Sequence, residues 1–226
     1  MNKNELLKKF QNFHIDKNGI FKKIKNIHKE NPYTVNDYTT KKTQVCFIFS
    51  CPGYEELINN KVCCGKTGDN LDILLNILHS IDKNLFPSTN RYDYDILNSS
   101  NVVHYYALDN KTEPEKSEIL NNKVRIFNYI DSNKQLKYIV LFGKKADNLS
   151  TEIKKHIDNN NLKMLIIKNF PHLGYQSINQ IKKDENNKSI NEKNYPTPEE
   201  RTKARLKVIA NKIINQIKDS QNGENI

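Results

Sequence analysis

Four short runs of β-branched and aromatic residues constrain this chain more than anything else in it: Val45–Ser50, Asn101–Tyr106, Tyr138–Phe142 and Met164–Ile167. Each is nearly continuous in apolar character, whereas a strand with one wet face alternates. Continuous runs are what strands covered on both faces look like. Helix-type stretches lie between them. Asp69–His79 carries Leu71, Leu74, Leu75 and Leu78 at spacings of three and four, an apolar stripe. Glu115–Tyr129 repeats the pattern with Ile119, Leu120, Val124 and Phe127, and Ile130 follows; Lys144–His156 is a weaker third. Strands alternating with helices predict βαβ units, and so a three-layer α/β/α fold around a central four-stranded parallel sheet.

The flanks divide the chain into a helical segment over 1–40, with an amphipathic helix from Asn4 to Ile27, an α/β domain over 41–218 and a disordered tail over 219–226. The last helix has a clear start: Thr197 as N-cap, Pro198 at the first helical position and Glu200 three residues after the cap. It is expected to end near Ile217. Residues 82–98, with Pro87, read as a loop, and so does the polar stretch 180–194.

A chain of 226 residues buries about 70% of its unfolded surface and needs neither disulfides nor a metal to hold a core. Its 36 Lys and Arg against 26 Asp and Glu leave a formal charge of +10, which favours a polyanionic partner. No apolar run approaches the roughly 18 residues of a membrane span, and Met1–Lys9 lacks an apolar signal core, so a cytoplasmic protein is expected. Cys46, Cys51, Cys63 and Cys64 form no CxxC pair, and neither a metal nor another cofactor is expected.

In an open parallel sheet, ligands bind beyond the carboxyl ends of the strands. The segments that follow the four runs are Ser50-Cys51-Pro52-Gly53-Tyr54-Glu55-Glu56, the stretch from His104 to Asn110, Gly143-Lys144-Lys145, and Asn169-Phe170-Pro171-His172-Leu173-Gly174-Tyr175. Gly65-Lys66-Thr67 imitates the end of a phosphate-binding P-loop. Asn60 stands where that loop needs its first glycine, and no strand runs directly into it, which argues against a nucleoside triphosphatase.

Taken together, these segments resemble the motifs of the uracil-DNA glycosylase superfamily. The family pattern of a strand, G-E-A-P-G-x-x-E and then a glycine-rich turn into a Leu-rich helix is similar to Phe49–Glu56 followed by Lys61–Leu71. Its T-N-V-V-K strand resembles Ser100-Asn101-Val102-Val103-His104, followed by Asp109-Asn110-Lys111-Thr112. Its L-G-x-x-A resembles Leu141–Ala146, and its terminal H-P-S matches only at His172. The likeness spans Val45 to Ile217. Two departures stand out. Ser50 and Cys51 occupy positions where the family carries an acid or amide, and Cys63 replaces the aromatic that stacks on uracil.

The resemblance implies a cofactor-free, monofunctional DNA glycosylase that flips a base and hydrolyses its N-glycosidic bond. Such cleavage needs a carboxylate for the cationic sugar or the attacking water, and a donor for the departing base. Glu56 and His172 are the expected catalytic pair. Asn101, Tyr54, Cys51 and Cys63 are the expected base contacts. Gly53, Gly65, Lys66, Lys111, Lys144, Tyr175 and Gln176 are the expected DNA contacts. The ordinary alternatives are solvated loop charges for Glu55 and Glu56, a turn-forming Asn101, a loop histidine at 172 and turn glycines. The smaller side chain at Cys63 leaves room, which favours a modified or bulky pyrimidine, as in foreign or viral DNA, over plain uracil. The rival readings are a uracil glycosylase of base-excision repair, a catalytically inactive DNA-binding module, and a hydrolase of free nucleosides. The protein is expected to act as a monomer on DNA, with a separate nuclease processing the abasic site.

Overall fold

The computed structural model describes residues 33–106 and 110–223. The predicted helix Asn4–Ile27 lies outside them. Strands β1 (Val45–Phe49) and β3 (Tyr138–Phe142) form where the sequence predicts, and every residue of both is buried. Their side chains alternate between two cores. Val45, Phe47, Phe49, Tyr138, Val140 and Phe142 face one layer, and Cys46, Ile48, Ile139 and Leu141 face the other. Two-sided burial of this kind requires the unbroken apolar runs. Strand β4 (Leu165–Phe170) runs further than the predicted Met164–Ile167.

The remaining strand is not the predicted one. Asn101–Tyr106 carries only an isolated antiparallel bridge, Val102 to Thr34. The strand is instead β2 (Asp95–Asn98), inside the stretch predicted as a loop. Its sequence, Asp-Ile-Leu-Asn, is short and polar at both ends, and Asp and Asn are poor strand formers. Asp95 is fully buried. Its carboxylate is satisfied by the Tyr129 hydroxyl at 2.7 Å, the Asn133 side-chain amide at 3.0 Å and the backbone N–H groups of Thr40 and Lys41.

The sheet order is β2-β1-β3-β4, and each neighbouring pair is parallel. The fold is therefore a three-layer α/β/α sandwich. One layer holds α2 (Gly65–Ile81) and α7 (Pro198–Gly223), packed against each other and on the sheet. The other holds α3 (Lys116–Ser132) and α5 (Ser150–Asn159). Leu71, Leu74, Leu75 and Leu78 of α2 are completely buried, as their spacing predicts. Each contributes about 1.5–3 kcal/mol of transfer free energy. On α3 the buried residues are Ile119, Ile126, Tyr129 and Ile130, while Val124 faces solvent, so the stripe is turned from the predicted one.

Short elements complete the chain: α1 (Tyr54–Asn59), α4 (Lys144–Asp147), α6 (Tyr175–Ile178) and a 3-10 turn at Arg91–Asp93. The predicted Lys144–His156 helix is thus broken between α4 and α5. The capping box of α7 forms as expected: Thr197 Oγ1 accepts from Glu200 N–H at 3.1 Å, and Glu200 accepts from Thr197 N–H at 2.9 Å. That helix continues to Gly223, so residues 219–223 are helical, contrary to the predicted tail. No helix-breaking residue intervenes after Ile217, and Gln221 reaches the Tyr138 hydroxyl at 2.8 Å. Residues 33–40 are not helical either. They strap the outer edge of β2 through the bridges Tyr38 to Ile96 and Thr34 to Val102.

This order creates a switch point. From β1 the chain crosses to β2 on one side, and from β3 it crosses to β4 on the other, so the carboxyl ends of β1 and β3 diverge and leave a crevice.

Candidate active site

A cavity of about 400 Å³ lies in that crevice. Three strands contribute to its wall through the residues at or just beyond their carboxyl ends: Ser50 and Cys51 after β1, Asn98 ending β2, and His172 after β4. β3 contributes indirectly. Gly143, at φ +92°, passes so close under His172 that a Cβ there would lie 3.2 Å from the His172 Cβ. Only glycine suits both that conformation and that approach.

Glu56 lies on the wall in the first turn of α1. Its Oε2 accepts the Gly53 N–H at 2.7 Å and its Oε1 accepts the Cys63 N–H at 2.6 Å. The carboxylate therefore staples the loop after β1 to the turn that enters α2. Burial pushes its pKa up, and the two backbone N–H groups and the nearby Asn98 side chain offset part of that rise.

His172 is held from three sides. Gly174 N–H donates to its Nδ1 at 3.0 Å. Phe49 meets the ring edge to face, with centroids 5.9 Å apart. The adjacent Leu173 carbonyl is anchored to α2 by the Asn70 side-chain amide at 2.6 Å. Because Nδ1 accepts, the single proton of the neutral ring belongs on Nε2. Burial lowers the pKa of His172 from 6.5 to about 4. This imidazole is thus an uncharged donor across the physiological range. The folded-state pKa lies below the unfolded one, so the native state loses stability as pH falls from about 6.5 towards about 4. The full loss is about 3 kcal/mol. A ¹⁵N–¹H titration of the ring should show the Nε2–H tautomer and no protonation step near pH 6.5. A His172 titrating with an ordinary pKa would remove the neutral-donor assignment.

Asn98 is 2% exposed and lines the cavity. Its Nδ2 has no hydrogen-bond partner of proper geometry among the described residues, although the amide lies close enough to Glu56 to influence the carboxylate. A buried amide donor without a partner costs about 1–3 kcal/mol. Beside it, His104 Nε2 lies 2.9 and 3.0 Å from the two oxygens of Glu118, and Ser100 Oγ donates to the same carboxylate. Burial alone would raise the Glu118 pKa. The bonds from His104 and Ser100 outweigh it and hold the group below the usual carboxylate range.

The structure brings together Glu56, His172, Cys51, Cys63, Gly53, Tyr175 and Gln176 around this cavity. It does not bring Asn101 there. That residue's carbonyl accepts the Val35 N–H at 3.0 Å on the outer strap, because the strand that ends at the crevice is β2 and not 101–106. Tyr54 is also outside the lining. It is 43% exposed and packs edge to face on Tyr105, which the outward turn of α1 dictates. The Cys51 thiol is pushed up to about 12, mainly by burial, and stays protonated, so it is no nucleophile. Cys63 is buried, with φ +56°, and burial raises its thiol pKa well above the ordinary value.

Gly65 (φ +64°) and the exposed Lys66 open α2, next to the cavity but not in its lining. Lys144 is exposed at the start of α4. Lys111 pairs with Glu115 at 3.3 Å, which spends part of its charge locally. His104, which follows the run at 101–106, does reach the cavity, whereas Asn98, Thr67 and Glu118 are among the site residues that the strand-end reading did not assign. Asn98 had a signal, as the amide that ends a short apolar pair. Among the described residues no group of three His, Cys, Asp or Glu could hold a metal ion, and no helix is long and apolar enough to cross a membrane. No known family model matches the chain, and no curated protein matches it at a significant level.

Proposed function

We propose that this protein is a DNA glycosylase that takes a flipped base into the switch-point cavity and hydrolyses its N-glycosidic bond. The observation that carries the reading is that one cavity is lined by two neutral donors: the buried amide of Asn98, whose Nδ2 makes no hydrogen bond of proper geometry among the described residues, and the Nε2-protonated imidazole of His172. Asn98 supplies a buried donor for the planar edge of a base. His172 supplies a donor for the negative charge on the departing base without carrying a charge of its own. Glu56 orients the water or offsets the cationic sugar. Its raised pKa means that its ionisation limits activity on the acid side, above the ordinary carboxylate value, while His172 adds no limb near pH 6.5.

Uracil and larger pyrimidines both fall within this chemistry. The small Cys63 side chain in the wall leaves space at the base face, which favours a modified or bulky pyrimidine, including one in foreign DNA. The formal charge of +10 supports DNA as the partner.

One observation favours a different reading, an inactive DNA-binding module. Both Glu56 oxygens are engaged by backbone N–H groups, as a purely structural carboxylate would be.

An abasic-site assay separates the two. The protein is incubated with DNAs carrying uracil, other deaminated bases, or hydroxymethylated and glucosylated cytosines, and then treated with alkali. Cleavage of one substrate, lost in Glu56→Gln with DNA affinity retained, is the expected result. Tight, salt-sensitive binding with no cleavage on any substrate would leave the binding module standing.

A further inference from the structure

A second cavity, of about 300 Å³, opens beside the first. Tyr175 lines both and forms the partition between them. The other walls of the second cavity come from Asn179 and Lys182, just beyond α6, and from Arg201, Thr202 and Arg205 on α7. Its composition is one-sided: two guanidiniums and an ammonium, and no carboxylate in the lining.

Arg205 is the informative residue. It retains only 9% of its accessible surface. Its Nε donates to the Ile181 carbonyl at 3.2 Å, which fixes the plane of the guanidinium. Among the described residues neither of its Nη atoms has a hydrogen-bond partner, and no carboxylate pairs with it. Burial, and after it the charge of Arg201, lowers its pKa, as expected for a cation without a counter-charge. Arg201 is itself positioned by the Tyr195 and Pro196 carbonyls at 3.0 and 2.9 Å. Among the described residues the one carboxylate that reaches it is the exposed Glu192, 3.8 Å away. Lys182 is steadied by the Asn179 carbonyl at 2.7 Å. A buried guanidinium normally has an acid beside it, because an unpaired buried charge is costly. Among the described residues no carboxylate pairs with Arg205, while the donors are already fixed in place.

We propose that this cavity is a phosphate site, and that it holds a backbone phosphate of the nucleic-acid strand whose nucleotide enters the neighbouring cavity. The assignment of the phosphate to a strand rests on the function proposed above; the anion chemistry does not. A guanidinium whose two Nη groups are unused suits the oxygens of a phosphodiester, and the adjacent Arg201 and Lys182 supply further charge. Tyr175 then marks where the strand passes from the phosphate site to the base cavity.

The test measures binding of the full chain to a fluorescein-labelled single-stranded oligonucleotide by anisotropy over a range of salt concentrations. Arg205→Met and Arg201→Gln are compared with Lys154→Gln on α5, across the sheet. Each arginine variant should weaken binding on the order of tenfold. Each should also lower the slope of log affinity against log salt by about 0.7, the value for one phosphate contact on single strands. Lys154→Gln should change neither. Lys182→Gln, at an exposed residue of the cavity wall, should also weaken binding and lower the slope, and it keeps the test informative if an arginine variant fails to fold. A wild-type protein that binds DNA, with arginine variants that keep its affinity and slope, overturns the phosphate site and leaves the glycosylase reading intact. A wild-type protein that fails to bind DNA at low salt overturns the strand assignment and the glycosylase reading together. Titration with inorganic phosphate, followed at the Arg205 Nε–H resonance, is the second arm. A shift there without any effect of the variants on DNA binding would make this a site for a small phosphate ester and would overturn the strand assignment.

Discussion

A His172→Ala variant is expected to lose about two to three orders of magnitude in the rate of base release, while its affinity for DNA stays within a few-fold of the parent. The size follows from the role. A preorganised neutral donor aimed at developing negative charge is worth roughly 10²–10³ in rate when it is removed. The donor is preorganised here because Gly174 N–H bonds the ring at Nδ1, Phe49 packs on it edge to face, and Gly143 lies close against the His172 Cβ. Nothing must reorient when charge develops on the leaving base. Truncation also removes the acceptor for Gly174 N–H and the contact on Phe49, so about 1–2 kcal/mol of stability should go with it. The measurement is therefore single-turnover cleavage at a temperature where both proteins are folded. His172→Gln restores a neutral donor and should recover part of the rate. Cleavage by His172→Ala within threefold of the parent would remove His172 from the chemistry. A rate that falls while the parent shows no pKa near 6.5 would agree with a ring that never carries charge.

The site was partly legible in the sequence because His172 and Glu56 follow strands that read correctly. β1 and β3 are central and buried on both faces, and their unbroken apolar runs are short and rich in β-branched and aromatic residues, which favours a strand over a buried helix. β2 was not legible for a reason that lies outside any local window. Its first residue is a buried aspartate whose partners, Tyr129 and Asn133, are more than thirty positions away. Read alone, Asp95 and Asn98 speak against a strand, and the more apolar Asn101–Tyr106 draws the assignment. That assignment placed the strand-end amide at Asn101, whereas Asn98 is the one that lines the cavity. Glu56 was legible as a position but not as a staple. Its Cys63 N–H donor depends on the left-handed turns at Asn60 and Cys63; Asn favours that conformation, but a positive φ at a cysteine has no sequence signature.

Those turns explain why the most damaging small substitution should be Gly68→Ala, one turn into α2. In an exposed helix, glycine to alanine gains about 1 kcal/mol. At this position a Cβ would lie 2.0 Å from the Cys63 carbonyl oxygen and 2.7 Å from the Arg91 guanidinium carbon. Arg91 is tied to Asp72 at 2.6 Å, and the first obstruction is backbone, so no rotamer change relieves the clash. Either α2 or the 60–64 turn must move. The net cost is expected to be about 3 kcal/mol or more, well above the propensity gain. Movement of the turn also withdraws the Cys63 N–H from Glu56, so activity should fall in the fraction that still folds. Gly53→Ala is the matched comparison. Its Cβ would meet nothing closer than Glu56 Oε2 at 4.0 Å, and the cost should stay within about 1 kcal/mol, the N-cap preference for glycine over alanine. Urea unfolding of the two variants measures the difference directly. A Gly68→Ala protein within 1 kcal/mol of the parent would mean that the turn carrying Cys63 yields easily. In that case Glu56 is not held rigidly by it, and the water-orienting role proposed for the carboxylate loses its preorganisation.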